Sequence, residues 1–259
     1  MYFDVLLPSI LFLVITCSIL VQKLMQKSIL SLLEERKLGL KEVILTVAWM
    51  GIAITMVVFI PGEAIRTLFL AAYSYLLFSF TYVALRKWYI AIFPPILFLL
   101  SYFYCWNLIV FNIFVVIFSV IITIYASGLF SWRTVWIFAA LLTIMDVIQV
   151  FITGFMGQSA TKMMQLKLPV LLMLPTYPSG LTVGLGMGDL FLAGLLSIHT
   201  SARRGVKAGI ITAAMNSLAM FIFETALLNT MFARFFPATL VVVAGSIAGL
   251  GAVRLVNLD

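Results

Sequence analysis

Long apolar runs separated by short polar or charged intervals organise this chain. Charge-poor stretches of about 18 residues or more fall at 4–22, 42–60, 64–85, 88–105, 107–127, 133–153, 181–199, 206–228 and 235–256. A bilayer core about 30 Å thick takes roughly 20 apolar residues as a helix. Each run therefore predicts one span, and the expected fold class is an all-α polytopic membrane protein with nine transmembrane helices. Residues 88–132 carry no charge; as one helix they would extend about 67 Å, over twice the bilayer core, so the run must turn back. Tyr104-Cys105-Trp106-Asn107 is the expected hairpin.

Two connections are long. Gln22 to Lys41 mixes Lys23, Lys27, Glu34, Glu35, Arg36 and Lys37 with Leu24, Ile29, Leu32 and Leu33, which predicts a short amphipathic helix on the membrane surface. Gly154 to Gly180 holds Gly154, Gly157, Pro169, Pro175, Pro178 and Gly180 around the apolar run Val170 to Leu174. That run, between prolines, predicts an extended strand.

Composition agrees with the pattern. Of 259 residues, 64% are hydrophobic and 10% charged, with a mean hydropathy of +1.21, against roughly 45–50% apolar and about 25% charged in soluble domains. This excludes a soluble globular protein and predicts a single membrane domain over 1–259. The net charge of +7 comes from 16 basic residues scattered between apolar runs. They form no nucleic-acid face and read as topology signals. With nine spans, twelve fall on one side, and Arg66, Lys162, Lys167 and Arg234 on the other. The positive-inside bias then predicts an integral protein of the cell membrane, N-terminus outside and C-terminus cytoplasmic. The first run has no basic n-region and no small-x-small cleavage site after it, and is expected to be a span and not a signal peptide. Cys17 and Cys105 form no CxxC pair and are expected as buried core thiols. His199, beside Ser201, Arg203 and Arg204, is expected at the membrane interface and not on a metal.

Of the acidic residues, Asp4, Glu34, Glu35, Glu42, Glu63, Glu224 and Asp259 fall near span ends or in loops, whereas Asp146 and Asp189 lie inside apolar runs. A mid-bilayer carboxylate costs a few kcal/mol and is a functional hypothesis by default. Asp146 stands seven residues before Thr153, and Asp189 eight after Leu181. In antiparallel helices both would lie about 11 Å from the same face. Gly184, Gly186 and Gly188 precede Asp189 and predict close helix packing there. Two nearby carboxyls do not readily ionise together, which leaves a base and an acid at one pH. That arrangement suits water attack on an amide, and equally proton or cation transport.

The residues Asp146 in the sixth run, Gly186-Met187-Gly188-Asp189 in the seventh, and Pro237-Ala238-Thr239-Leu240 opening the ninth resemble the presenilin and signal peptide peptidase family of aspartic proteases. That resemblance implies a nine-helix presenilin-like fold, catalytic roles for Asp146 and Asp189, and active-site support from Gly186, Met187 and Gly188. It also implies an intramembrane aspartic endopeptidase with no metal or organic cofactor, acting on transmembrane helical peptides within the lipid bilayer. The compact size is similar to archaeal members. Two positions depart from the family pattern: Met145 stands where a tyrosine is common, and Thr239 is inserted into the Pro-Ala-Leu motif, leaving Leu240 one residue late. The substrate side is expected to use Pro237, Ala238 and Leu240, with Leu168, Pro169, Val170 and Leu171 beginning a strand edge that receives unwound substrate. Gln149 and Asn216 are candidates to line a hydrated cavity or to serve as packing residues. Alternatives are a prepilin-type peptidase, which shares Gly-x-Gly-Asp on fewer spans, and a proton-coupled transporter, for which two related halves would be expected.

Overall fold

The computed structural model describes residues 3–33, 37–176, 180, 182–230 and 236–256, with the backbone alone over 26–33. Glu34, Glu35, Arg36, Pro178, Leu181, Arg234 and Asp259 lie outside the described residues, as do the side chains of Lys27, Ile29, Leu32 and Leu33.

Among the described residues eleven α-helices and two paired strands follow in order: α1 Leu6–Leu33, α2 Leu40–Phe59, α3 Gly62–Leu85, α4 Trp88–Ala91, α5 Phe93–Tyr104, α6 Leu108–Leu129, α7 Trp132–Val147, α8 Phe155–Gln165, β1 Leu171–Pro175, β2 Thr182–Gly186, α9 Met187–Arg204, α10 Val206–Thr230 and α11 Ala238–Leu255. Among the described residues seven helices are long and apolar enough to cross a membrane: α1, α2, α3, α6, α7 with its extension to Ile152, α10 and α11. This is an integral membrane architecture. Of the nine predicted runs, 88–105 is short and broken at Ile92 into α4 and α5, and α9 carries Asp189, Arg203 and Arg204 in its 18 residues.

Why α9 tolerates that polarity is clear from its surroundings. Asp189 through Ile198 are buried without interruption, because α1, α6, α7, α10 and α11 pack around this helix. It is shielded by protein and not by lipid. The outer helices instead present large apolar side chains, among them Phe59 at 70% exposure, Tyr75 at 72% and Ile152 at 75%. Such a surface is stable against hydrocarbon and an aggregation hazard in water.

The hairpin after Tyr104 forms where predicted: Asn107 caps α6, its side chain accepting from the Val110 N–H. Four other expectations are corrected. The linker after Gln22 forms no separate surface helix, since α1 continues as one helix to Leu33. The segment after Thr153 is not all loop: Gly154, at φ +69, takes the left-handed turn that ends the preceding helix, and α8 starts directly after it with Gly157 inside. Ser159 donates to the Ile54 carbonyl at 2.7 Å, and the Lys162 Nζ to the Val58 and Ile60 carbonyls at 3.0 and 2.6 Å, so α8 closes the end of α2. The seventh run does not become a helix at 181, because 182–186 is extended and α9 starts at Met187. Finally, Cys17 and Cys105 are free thiols on the protein surface and not in its core.

Candidate active site

Asp146 occupies the penultimate position of α7, and the helix widens directly after it into a π-helical turn, Ile148–Ile152. Such turns leave one backbone bond out of the regular ladder and recur at functional sites. Asp189 sits in the first turn of α9, immediately after the β2 strand. Its depth is therefore set by strand rise, about 3.3 Å per residue, over 182–186 and not by the helical 1.5 Å assumed from sequence. Both carboxyls are buried, at 6% and 9% exposure, and they are near enough for the charge of one to act on the other. The fold thus brings together the two aspartates that sequence reasoning paired.

A third side chain joins them that the sequence reading passed over. The Thr239 hydroxyl donates to Asp146 Oδ2 at 2.8 Å, and the Thr239 backbone N–H also lies on that carboxyl. Thr239 stands in the first turn of α11, after Pro237 at the N-cap, where a helix has backbone donors with no internal acceptor. The residue treated as an interruption of the Pro-Ala-Leu motif is the one that reaches the aspartate. The available signal was a hydroxyl placed two residues after the proline. Pro237 and Ala238 are helix-start residues next to the site, while Leu240 is 40% exposed on the outside of α11.

The glycines before Asp189 have different functions from those expected. Gly184 and Gly186 belong to β2 and not to a helix-packing stripe. A Cβ built on Gly186 would come within 2.8 Å of Asp189 Oδ2, so the carboxyl occupies the space a side chain would take. Gly188 meets nothing within 4 Å and opens onto free space beside Asp189. Met187 is half-buried and its N–H bonds the Val170 carbonyl at 2.9 Å, tying the start of α9 to the sheet.

β1 and β2 pair antiparallel, with Leu171 opposite Gly186 and Pro175 opposite Thr182. In an antiparallel ladder residues alternate between facing the partner and facing away. Asn112 settles the alternation: its Nδ2 donates to the Met173 carbonyl at 2.6 Å and its Oδ1 accepts from the Met173 N–H at 2.9 Å. Met173 and Leu171 therefore point away from β2, and Val170, Leu172 and Leu174 point toward it. One edge of β1 is filled by β2, and Asn112 occupies the other at Met173. The stretch before it is also committed: Leu168 is fully buried, and the Pro169 carbonyl accepts from Tyr73 at 3.2 Å. The edge expected at Leu168 to Leu174 is thereby interrupted at Met173; in β2 the backbone of Thr182 and Gly184 faces away from β1, while the Gly186 backbone N–H lies on the Asp189 carboxyl.

Of the other candidates, Gln149 donates to the Gly51 carbonyl at 2.9 Å and Asn216 accepts from Ser246 at 3.1 Å, both as packing contacts. Met145 lies against Gly51. Between α2 and α7 an apolar groove of about 740 Å³, lined by Val47, Gly51, Thr55, Met145 and Gln149, adjoins the turn that carries Asp146. Asp4 and Glu224, expected near span ends or in loops, are buried beside each other, each at 2% exposure. No protein-family model matches this chain, and no curated protein matches it.

Proposed function

We propose that the protein is an intramembrane aspartic endopeptidase that hydrolyses peptide bonds within transmembrane helices. The observation that carries this reading is the convergence of two buried carboxyls, Asp146 from α7 and Asp189 from α9, at the end of a strand with a free edge. One carboxylate removes a proton from water as it attacks the scissile carbonyl, and the other carboxyl gives its proton to that carbonyl oxygen. As the tetrahedral intermediate collapses, the first carboxyl gives its proton to the leaving amine and a hydroxyl of the intermediate returns its proton to the second carboxylate as the C=O bond re-forms, so the pair is restored. Thr239 holds Asp146 in place through its hydroxyl.

A transmembrane substrate must be unwound before its amides can be attacked, and the freed N–H and C=O groups need partners in the absence of water. The β2 edge supplies them at Thr182 and Gly184, and Gly188 leaves room for a substrate backbone beside Asp189. The apolar groove between α2 and α7 suits a substrate helix approaching from lipid. In the orientation expected from the basic residues, the site faces the outer leaflet and favours substrates with the N-terminus inside.

Purified protein in nanodiscs, incubated with a labelled transmembrane peptide, tests the reading. Asp146→Asn and Asp189→Asn are each expected to abolish cleavage while leaving a folded chain, since general acid–base groups contribute about 10²–10⁴-fold. Retention of more than about a tenth of the activity in either variant would overturn it.

A further inference from the structure

The opposite end of the bundle carries a second cavity, remote from the aspartates. About 360 Å³ in volume, it is bounded by Gln22 from α1, Lys37 before α2, Ser131 and Trp132 at the start of α7, and His199 and Arg203 at the end of α9. None of the described residues lining it is acidic. Lys37 is held at the cavity by its neighbour, since the Leu38 N–H bonds the Leu129 carbonyl at the end of α6 at 2.9 Å. The Arg203 guanidinium lies 4.9 Å from the centre of the Trp132 ring. That stacking restrains the long side chain while leaving its N–H edge free to bind.

One further feature points to an anion. Ser131 is the N-cap of the 16-residue α7, and a helix start presents backbone N–H groups, here those of Trp132 and Arg133, that have no acceptor inside the helix. A cation on each side and a helix start between them complement a tetrahedral oxyanion. Basic pockets between helices at a membrane surface are suited to phospholipid headgroups.

We propose that this cavity binds a single phosphate-bearing anion, with Lys37 and Arg203 as its charge partners and Ser131, Trp132 and His199 forming its wall. The ligand chemistry is shared by a phosphodiester headgroup and by free phosphate, which two experimental arms separate. In the first, the protein is extracted from nanodiscs containing phosphatidylcholine with one-tenth phosphatidylglycerol, and retained lipid is counted by native mass spectrometry. One phosphatidylglycerol per chain is expected, with occupancy falling at least tenfold in Lys37→Gln and in Arg203→Gln and unchanged in Lys87→Gln. In the second, inorganic phosphate is titrated onto protein in phosphatidylcholine alone, read by tryptophan fluorescence. Lipid retention that millimolar phosphate does not displace assigns a headgroup; a saturable phosphate response with the same variant sensitivity, and no lipid retention, assigns the free anion.

Thermal midpoints in phosphatidylcholine alone identify variants that are merely misfolded. Should Arg203→Gln fall in that class through loss of the Trp132 contact, Lys37→Gln and the charge-conserving Arg203→Lys decide the matter. Absence of both lipid retention and phosphate response overturns the proposal. So does retention that is the same in Lys37→Gln as in the unmodified protein.

Discussion

Replacing Thr239 by valine tests the site at the contact that sequence reasoning missed. Valine keeps the β-branched shape and the backbone N–H, and removes only the hydroxyl that donates to Asp146 at 2.8 Å. Hydrogen bonds to charged groups contribute about 1.5–3 kcal/mol. If that free energy holds the carboxyl in its reactive position, kcat falls roughly 10- to 150-fold, since each 1.36 kcal/mol is tenfold in rate. KM should change less than about twofold, because the β2 edge and the groove are untouched. Thr239→Ser, which restores the hydroxyl, should recover most of the rate. The assay is cleavage of a labelled transmembrane peptide in nanodiscs over a range of substrate concentrations, with thermal midpoints measured in parallel. Valine turnover above half that of the unmodified protein, or a loss carried by KM alone, would refute the assignment of Thr239 to positioning.

Three other expectations follow from the geometry. Gly186→Ala should push the Asp189 carboxyl from its place and lower kcat by about 10², as displacements near 1 Å can do, whereas Gly188→Ala, which meets nothing within 4 Å, should leave the thermal midpoint unchanged. Gly184→Pro removes an N–H that faces away from β1, so cleavage should fall while the sheet survives; circular dichroism and the cleavage assay together check this, and undiminished turnover would exclude the β2 edge from substrate binding. For orientation, Cys105 in a Cys17→Ser background should react with an impermeant maleimide on intact cells, whereas Lys207→Cys in a chain lacking both native thiols should react only after permeabilisation; the reverse pattern inverts the topology and the substrate preference with it.

The placement of the aspartates was legible in sequence for a simple physical reason: a carboxyl in an apolar run is costly, and so conspicuous. The apolar runs themselves are equally legible, because the bilayer imposes a minimum length on any helix that crosses it, and the hairpin at Tyr104 to Asn107 follows from the same arithmetic. Local pattern has less to say where protein replaces lipid as the surroundings. The 181–199 run looks helical throughout, yet residues 182–186 form β2, because their backbone groups find partners in β1 that lie seven to fifteen residues away in the chain. α9 escapes the hydropathy rule since five other helices enclose it. α8 was hidden behind Gly154 and Gly157, and its place is set by Ser159 and Lys162 reaching the end of α2 across about a hundred residues of sequence.

The same distinction separates the candidate sites. Asp146 and Asp189 are local signals, but which edge is open depends on Asn112 reaching β1 from α6, and which hydroxyl holds Asp146 depends on the start of α11 arriving beside the end of α7. Lys37, Trp132, His199 and Arg203 are unremarkable one at a time, and become a cationic cavity only when the segment before α2 and the ends of α6 and α9 meet the start of α7 beside α1. Residue chemistry and membrane thickness are properties of short stretches of chain. Pairing, enclosure and convergence are relations between distant stretches, and only the packed structure decides them.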